Sequence, residues 1–242
     1  RVAGYSAVQM RAFTERYPES APRIAVLPPT LRPERCRPEL REPAMRAEAR
    51  RSLGLREGEK AWLWIGLQPE IKGLDRVLDA LATEADATLL IAGLSADHHK
   101  AKITHQQIAK LGLADRVRFI GYLSGERFPA VLAAVDVLAH PARREASGST
   151  ILEALVNGLP VVTTDVCGFA THVEKAGAGI VIPSPFDPHA FAHALRKACG
   201  SEGEALSRRG IAYGGEPFLY SGIDVACDLI EADAWPAGTG EL

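Results

Sequence analysis

Six short runs rich in Val, Ile and Leu, each followed by an amphipathic stretch of helical period, constrain this chain more than any other feature. The runs fall at 61–66 (AWLWIG), 87–93 (ATLLIAG), 117–121 (VRFIG), 135–140 (VDVLAH), 160–165 (PVVTTD) and 179–183 (GIVIP). Between and after them the spacing predicts helices over 44–53, 73–82, 99–111, 126–134, 149–157, near 170–176 and over 187–199, with a last helix within 218–232. A helix over 6–17 and a strand over 23–29, broken by two prolines, come earlier. Apolar strands alternating with amphipathic helices mean a parallel sheet covered on both faces. The expected fold is therefore α/β: a doubly wound, Rossmann-like parallel sheet.

With 47% hydrophobic and 24% charged residues in 242, the chain can bury one large core or two small ones. A net charge of −2 gives no general attraction to nucleic acid or anionic lipid. The basic residues are uneven, however, with eight arginines (32, 35, 37, 41, 46, 50, 51, 56) between Arg32 and Arg56. A solvated helix and linker is the plainer reading of that run, a phosphate-facing surface the other. Four scattered cysteines, Cys36, Cys167, Cys199 and Cys227, form no C-x-x-C pair, which argues against a disulfide framework or zinc site and fits a reducing cytoplasm. No run approaches the ~18 apolar residues needed to cross a bilayer. There is no D-x-D motif, and the His189/His193 pair lacks the companions of a zinc protease, so no metal or other cofactor is expected. The first residue is Arg1 and not Met, which suggests a longer parent protein.

Chemistry concentrates in EASGSTILEALVNGLP, Glu145 to Pro160. Ala146, Ser147, Gly148 and Ser149 allow a tight turn and close approach of a ligand. A helix is expected from Ser149, with Leu152, Leu155, Val156 and Leu159 on its apolar face and Asn157-Gly158 and Pro160 as stop signals. The free N–H groups of its first turn and its dipole favour a phosphate. Glu153 offers two acceptor oxygens, suited to the vicinal hydroxyls of a ribose, and Glu145 lies in the turn where it can accept from a sugar. Thr150-x-x-Glu153 is also a capping box, in which the glutamate only closes the helix N-terminus. Lys72, at the end of the loop from Gly66 to Gly73, can reach a diphosphate as a point charge. The turn Gly121-Tyr122-Leu123 can hold a base through its backbone. His140 reads as a satisfied core histidine beside the site, and Cys167-Gly168 as pocket lining or packing. A glycosidase would also use two carboxylates, but one on a helix that opens at a phosphate-type turn favours holding a donor.

LPPTLRPER (27–35), KGLDRVLDALA (72–82), the segment 133–173 and FAHALRKA (191–198) resemble the C-terminal half of a family-4 retaining glycosyltransferase of the GT-B fold. Its E-x7-E hallmark is matched by Glu145 and Glu153, and within the family the similarity is closest to the lipopolysaccharide core glucosyltransferases. The resemblance implies that Lys72 and Arg35 contact the diphosphate, Glu153 the ribose and Glu145 the transferred hexose, with Glu145 and Lys72 serving catalysis. Gly148 and Ser149 lend N–H groups to the phosphate, and Gly66, Tyr122, Ala146 and Thr150 complete the donor-binding set. The family usually has an arginine directly after the strand or just before the lysine, where this chain has Leu67 and Ile71, and the lipopolysaccharide core enzymes carry an arginine in the base-side loop where it has Tyr122. By the same resemblance, 1–28 is the remnant of a missing N-terminal domain, 29–215 the donor-binding domain and 216–242 a crossover helix and tail. The implied partners are a UDP-sugar and a glycan or glycolipid acceptor, with no nucleic acid. Peripheral contact with the inner membrane would come only through the missing domain. Such a fragment alone is expected to be inactive. The alternatives are a non-catalytic nucleotide-sugar-binding module and a UDP-sugar epimerase.

Overall fold

Successive side chains of a strand point to opposite faces, so the run Ala61, Trp62, Leu63, Trp64 sends two side chains each way, and all four are buried. A strand buried on both sides needs helices above and below it. The computed structural model, which describes residues 2–232, supplies them. Strands β3 (Lys60–Ile65), β4 (Ala87–Ala92), β5 (Val117–Gly121), β6 (Val137–His140), β7 (Val161–Thr164) and β8 (Gly179–Ile182) follow β1 (Val2–Gly4) and β2 (Ile24–Val26). The helices are α1 (Ala7–Arg16), α2 (Pro43–Ser52), α3 (Leu74–Ala82), α4 (Ala101–Lys110), α5 (Arg127–Ala134), α6 (Ser149–Val156), α7 (Ala170–Ala176), α8 (Pro188–Cys199), α9 (Gly203–Tyr213) and α10 (Gly222–Glu231).

Six strands form one parallel sheet in the order β5-β4-β3-β6-β7-β8. Leu63, Leu90 and Leu138 pack on one face beneath α5 and α6, and Trp64, Ile91 and Ala139 on the other beneath α3 and α8. The order of strands reverses between β3 and β6, which opens a crevice at their carboxyl ends. β1 and β2 form a separate two-stranded parallel sheet bridged by α1. Among the described residues no helix is long and apolar enough to cross a membrane.

All six sheet strands and the expected helices form, with ends shifted by a residue or two. Two elements are absent from the sequence reading. β1 is only three residues, too short to show a period. In α9 the helix contains Gly203 and Gly210, and only Leu206 and Gly210 are buried, so the apolar stripe is too thin to stand out. Gly210 is small for a packing reason, since an added Cβ would press into the Leu155 carbonyl. The expected tail beyond residue 232 lies outside the described residues.

The arginine run divides between tasks. The last carbonyls of α5 have no helical partner and need donors. Arg41 donates to the Leu132 oxygen at 2.9 Å, Arg46 to Ala133 at 3.0 Å and Arg50 to Ala134 at 2.9 Å. Burial pulls the Arg41 guanidinium down to about 10. Asp136, at the foot of β6, accepts from Arg46 at 2.6 Å and from the Ala61 N–H at 2.7 Å, which ties β6 to β3. These arginines line a cavity of about 810 Å³ at the amino-terminal edge of the sheet, opposite the crevice.

Asp136→Ala is expected to lower the unfolding free energy by about 2–3 kcal/mol, because a charged acceptor shared by two arginines and a strand N–H is removed. Urea denaturation measures it. A loss below about 0.5 kcal/mol would mean that the arginine–carbonyl bonds alone hold this corner.

Candidate functional site

The crevice is built from two loops. The first follows β3. Gly66 has no room for a side chain, since a Cβ there would lie 2.9 Å from the Trp64 ring and 3.2 Å from Lys72 Cγ. The lysine stem therefore crosses close over the strand end, and Trp64 Nε1 donates to the Lys72 carbonyl at 3.1 Å. Gly73, with φ of 68°, starts α3 in the left-handed region, and a Cβ there would strike the Pro141 carbonyl. This contact brings the first loop against the second.

The second loop follows β6. Arg143 N–H donates to the Ile71 carbonyl at 2.8 Å, and Glu145 forms an isolated parallel bridge with Cys167 from the loop after β7. Gly148, with φ of 85°, turns the chain into α6. The N–H groups of Ser149 and Thr150 find no acceptor among the described residues, so the first turn of α6 offers free donors to an anion. The Ala146 carbonyl is held by Ser6 Oγ at 3.0 Å.

Two ion pairs flank this turn. Lys72 Nζ pairs with Glu145 Oε2, and His140 Nε2 lies 3.2 Å from that same oxygen. Arg35 Nε pairs with Glu153 Oε1 at 3.1 Å, its guanidinium stacked 3.8 Å over the Phe128 ring. Four of the expected residues, Lys72, Glu145, Arg35 and Glu153, thus meet in two cation–carboxylate pairs. The capping-box arrangement does not form: Gly148 is the N-cap, no side chain caps the helix, and Glu153 faces Arg35. Tyr122 stands apart. It sits at the carboxyl end of β5, its side chain is 76% exposed, and its carbonyl accepts from Arg127 at 3.3 Å. Leu67 is 55% exposed and Ile71 half-buried, while the nearby Arg143 guanidinium is engaged by both carboxylate oxygens of Asp75.

The two glutamates differ electrically. Burial works against the charge on Glu145, but His140 and Lys72 outweigh it and hold the carboxyl at about 2. For Glu153 burial wins, and its carboxyl is raised despite Arg35. One carboxylate is a fixed charge, and the other is suited to hydrogen bonding with neutral hydroxyls.

Asn157 is a site residue that the sequence reading treated only as a helix stop. Its buried amide donates to the Glu153 carbonyl at 2.7 Å and the Arg35 carbonyl at 2.9 Å, and accepts from Arg37 N–H at 2.7 Å. It fastens the arginine segment over α6. Its place one turn after Glu153, on the same helix face, was the available signal.

A carboxyl depressed to about 2 adds stability that is fully present above its ordinary value of 4.5 and is lost as pH falls toward 2. Glu145→Gln should therefore melt below the parent chain at pH above 4.5, and the two curves should converge as pH drops toward 2. Thermal unfolding across that range checks it. Parallel curves would show that Glu145 contributes no such linkage.

Residues 45–214 match the family model for glycosyl transferases group 1. The chain is 33% identical over 229 residues to the lipopolysaccharide glucosyltransferase WaaG of Escherichia coli (strain K12), which covers 92% of this chain and 59% of that protein. A crystal structure of WaaG, a glycosyltransferase involved in lipopolysaccharide biosynthesis, superposes with a TM-score of 0.85 at 31% identity, over 95% of this chain and 62% of that one. Alr3699/HepE from Anabaena, solved in complex with UDP-glucose, shares the fold at a TM-score of 0.79 and 23% identity, over 96% of this chain and 64% of that one. The chain spans about three-fifths of the length of these relatives. A family match running from α2 to the end of α9, on a sheet whose crevice gathers the two glutamates and their cations, establishes that this chain belongs to the glycosyl transferases group 1 family and has the architecture of a GT-B half.

Proposed function

We propose that this chain carries the donor site of a family-4 retaining glycosyltransferase that moves a hexose, glucose from UDP-glucose, onto a lipopolysaccharide core or related glycan. The observation that carries the reading is the pair of cation–carboxylate contacts, Lys72–Glu145 and Arg35–Glu153, on either side of the free N-terminus of α6. A nucleotide-sugar presents a diphosphate to cations and N–H groups, a ribose diol to one carboxylate, and sugar hydroxyls to the other. The chemistry of the site matches that order. WaaG, by its name a glucosyltransferase, and HepE, solved with UDP-glucose, support the choice of donor.

On this reading Lys72, Arg35 and the α6 N-terminus stabilise the departing diphosphate while the acceptor hydroxyl attacks the same face of the sugar. In the free chain each of those cations is held by a glutamate. Donor binding exchanges the pairs: the cations turn to phosphate and the carboxylates to hydroxyls. Residues 1–28, 29–215 and 216–242 are then the end of a first domain, the donor domain, and the crossover helix with its tail. The acceptor is a glycan or glycolipid, and the protein works in the cytoplasm, at the inner face of the membrane.

A non-catalytic nucleotide-sugar-binding module is the second reading, favoured by one observation. Leu67 and Ile71 supply no charge, and Arg143 beside them is taken up by Asp75.

Glu153→Ala should weaken UDP binding by about 1.5–3 kcal/mol, the range for a hydrogen bond to a charged group. Calorimetric titration measures it, and unchanged affinity with a lowered melting temperature would make Glu153 a purely structural residue. In the active protein, Lys72→Ala should reduce kcat by ~10²–10³. Binding of UDP-glucose without turnover by the full-length protein would favour the second reading, whereas intact activity in Lys72→Ala with no gain in UDP affinity from Ile71→Arg would mean that the loop from Gly66 to Gly73 does not face the diphosphate.

A further inference from the structure

His140 ends β6 beneath the site and is 2% exposed. Its backbone is fixed, because Thr163 Oγ1 donates to its carbonyl at 3.0 Å. Its Nε2 is 3.2 Å from Glu145 Oε2, the oxygen that Lys72 also holds, while its Nδ1 has no hydrogen-bond partner at all. The groups that face the ring are few. Glu145 comes from the loop after β6 and Cys167 from the loop after β7, with Lys72 behind Glu145. Thr163 and Thr164 of β7 carry no charge, and Thr164 Oγ1 donates to the Ala142 carbonyl at 2.7 Å.

This geometry selects a protonation state. An N–H buried at Nδ1 without an acceptor costs more than a lone pair left there, so on the alkaline side of its titration the free chain should hold the ring neutral, with its proton on Nε2 pointing at Glu145. That state is balanced only while Lys72 neutralises Glu145. A half-buried carboxylate that loses its cation must find another.

We propose that His140 positions Glu145 and becomes its charge partner when Lys72 turns to the donor diphosphate, so that donor binding draws a proton from solvent onto His140. The inference rests on the donor-site reading above. The incoming proton bonds to Nδ1, the ring nitrogen that is free in the unliganded chain, and the existing Nε2–H keeps Glu145 oriented toward the sugar. That N–H forms as an O–H bond of hydronium or of a buffer acid breaks, and no other covalent bond changes. Burial opposes a charge on His140, but Cys167 and Glu145 outweigh it and already hold the ring above the ordinary imidazole range. Removal of Lys72 from Glu145 raises it further. A group whose pKa rises on binding links tighter binding to lower pH. The linkage acts between the free and bound values, where affinity gains at most about tenfold per pH unit, and is absent above both.

UDP-glucose is the suitable probe, because its diphosphate is a diester and does not itself titrate near neutrality. Calorimetric titration of the chain with UDP-glucose, repeated in buffers of different ionisation enthalpy, should show proton uptake of no more than a single proton, largest between the titrations of the free and the bound ring and falling away at lower and at higher pH. His140→Gln keeps an N–H donor toward Glu145 and cannot take a proton. It should bind within about tenfold of the parent with the uptake abolished. His140→Leu should lose more affinity for UDP-glucose than for UDP. Uptake that persists in His140→Gln, or its absence in the parent chain, overturns the proposal. Failure of the parent chain to bind UDP-glucose at all would instead sink the donor-site reading. A separate arm needs no donor: the ring ¹⁵N resonances of His140 in the free chain should report the Nε2–H tautomer, shifting in Glu145→Gln. An Nδ1–H tautomer overturns the positioning role whatever the binding results.

Discussion

The candidate site depends on β6 lying beside β3, two strands separated by more than seventy positions of sequence and paired directly through only Trp62–Val137 and Leu63–Leu138. So short a ladder needs help at both ends. At the foot, Asp136 binds the Ala61 N–H and the arginines of α2, and at the head Arg143 N–H reaches the Ile71 carbonyl while Gly73 admits Pro141. The two loops that carry Lys72 and Glu145 are brought together by this seam. The lysine and glutamate meet because the strands beneath them do.

The seam also places unlike electrostatic environments a short distance apart. Glu145 sits over the strand ends with a lysine and an imidazole on one oxygen, and its charge is secured. Glu153, inside α6, is buried and shares its arginine with the face of Phe128. Side chains of the same chemistry are thereby divided into a permanent anion and a group whose charge is resisted by burial. A ligand that is anionic at one end and rich in hydroxyls at the other finds a matching polarity along this surface.

Much of this was legible in the sequence, for identifiable reasons. Strands buried on both faces must be apolar throughout, and helices lying on them must be amphipathic, so the order of elements and the parallel sheet followed from the pattern alone. The Glu145-to-Glu153 spacing, the small-residue turn and Lys72 before Gly73 were legible because backbone geometry restricts which residues fit there. What escaped depends on contacts between distant segments. Arg35 and Asn157 are joined through a backbone carbonyl that no local pattern encodes, and α9 is held by a glycine fitting against Leu155. His140 reads as an ordinary core residue until its Nε2 is seen against Glu145 and its Nδ1 against nothing. The plainer reading of the arginine run was a solvated helix and linker, yet Arg35 serves the crevice while Arg41, Arg46 and Arg50 serve the far edge of the sheet.

Ser6, Ala146 and Gly168 come from three remote parts of the chain and meet at one point: the serine hydroxyl donates to the Ala146 carbonyl, and a Cβ on Gly168 would lie 2.6 Å from that same hydroxyl oxygen. They behave as one steric unit. Space at that point is shared, and a larger side chain at Ser6 or Gly168 presses on the Ala146 carbonyl and, through it, on the neighbouring Glu145. Substitutions there should therefore be tolerated only in combination, so that drift in the small β1–α1–β2 sheet is restrained by the loop it touches across the molecule.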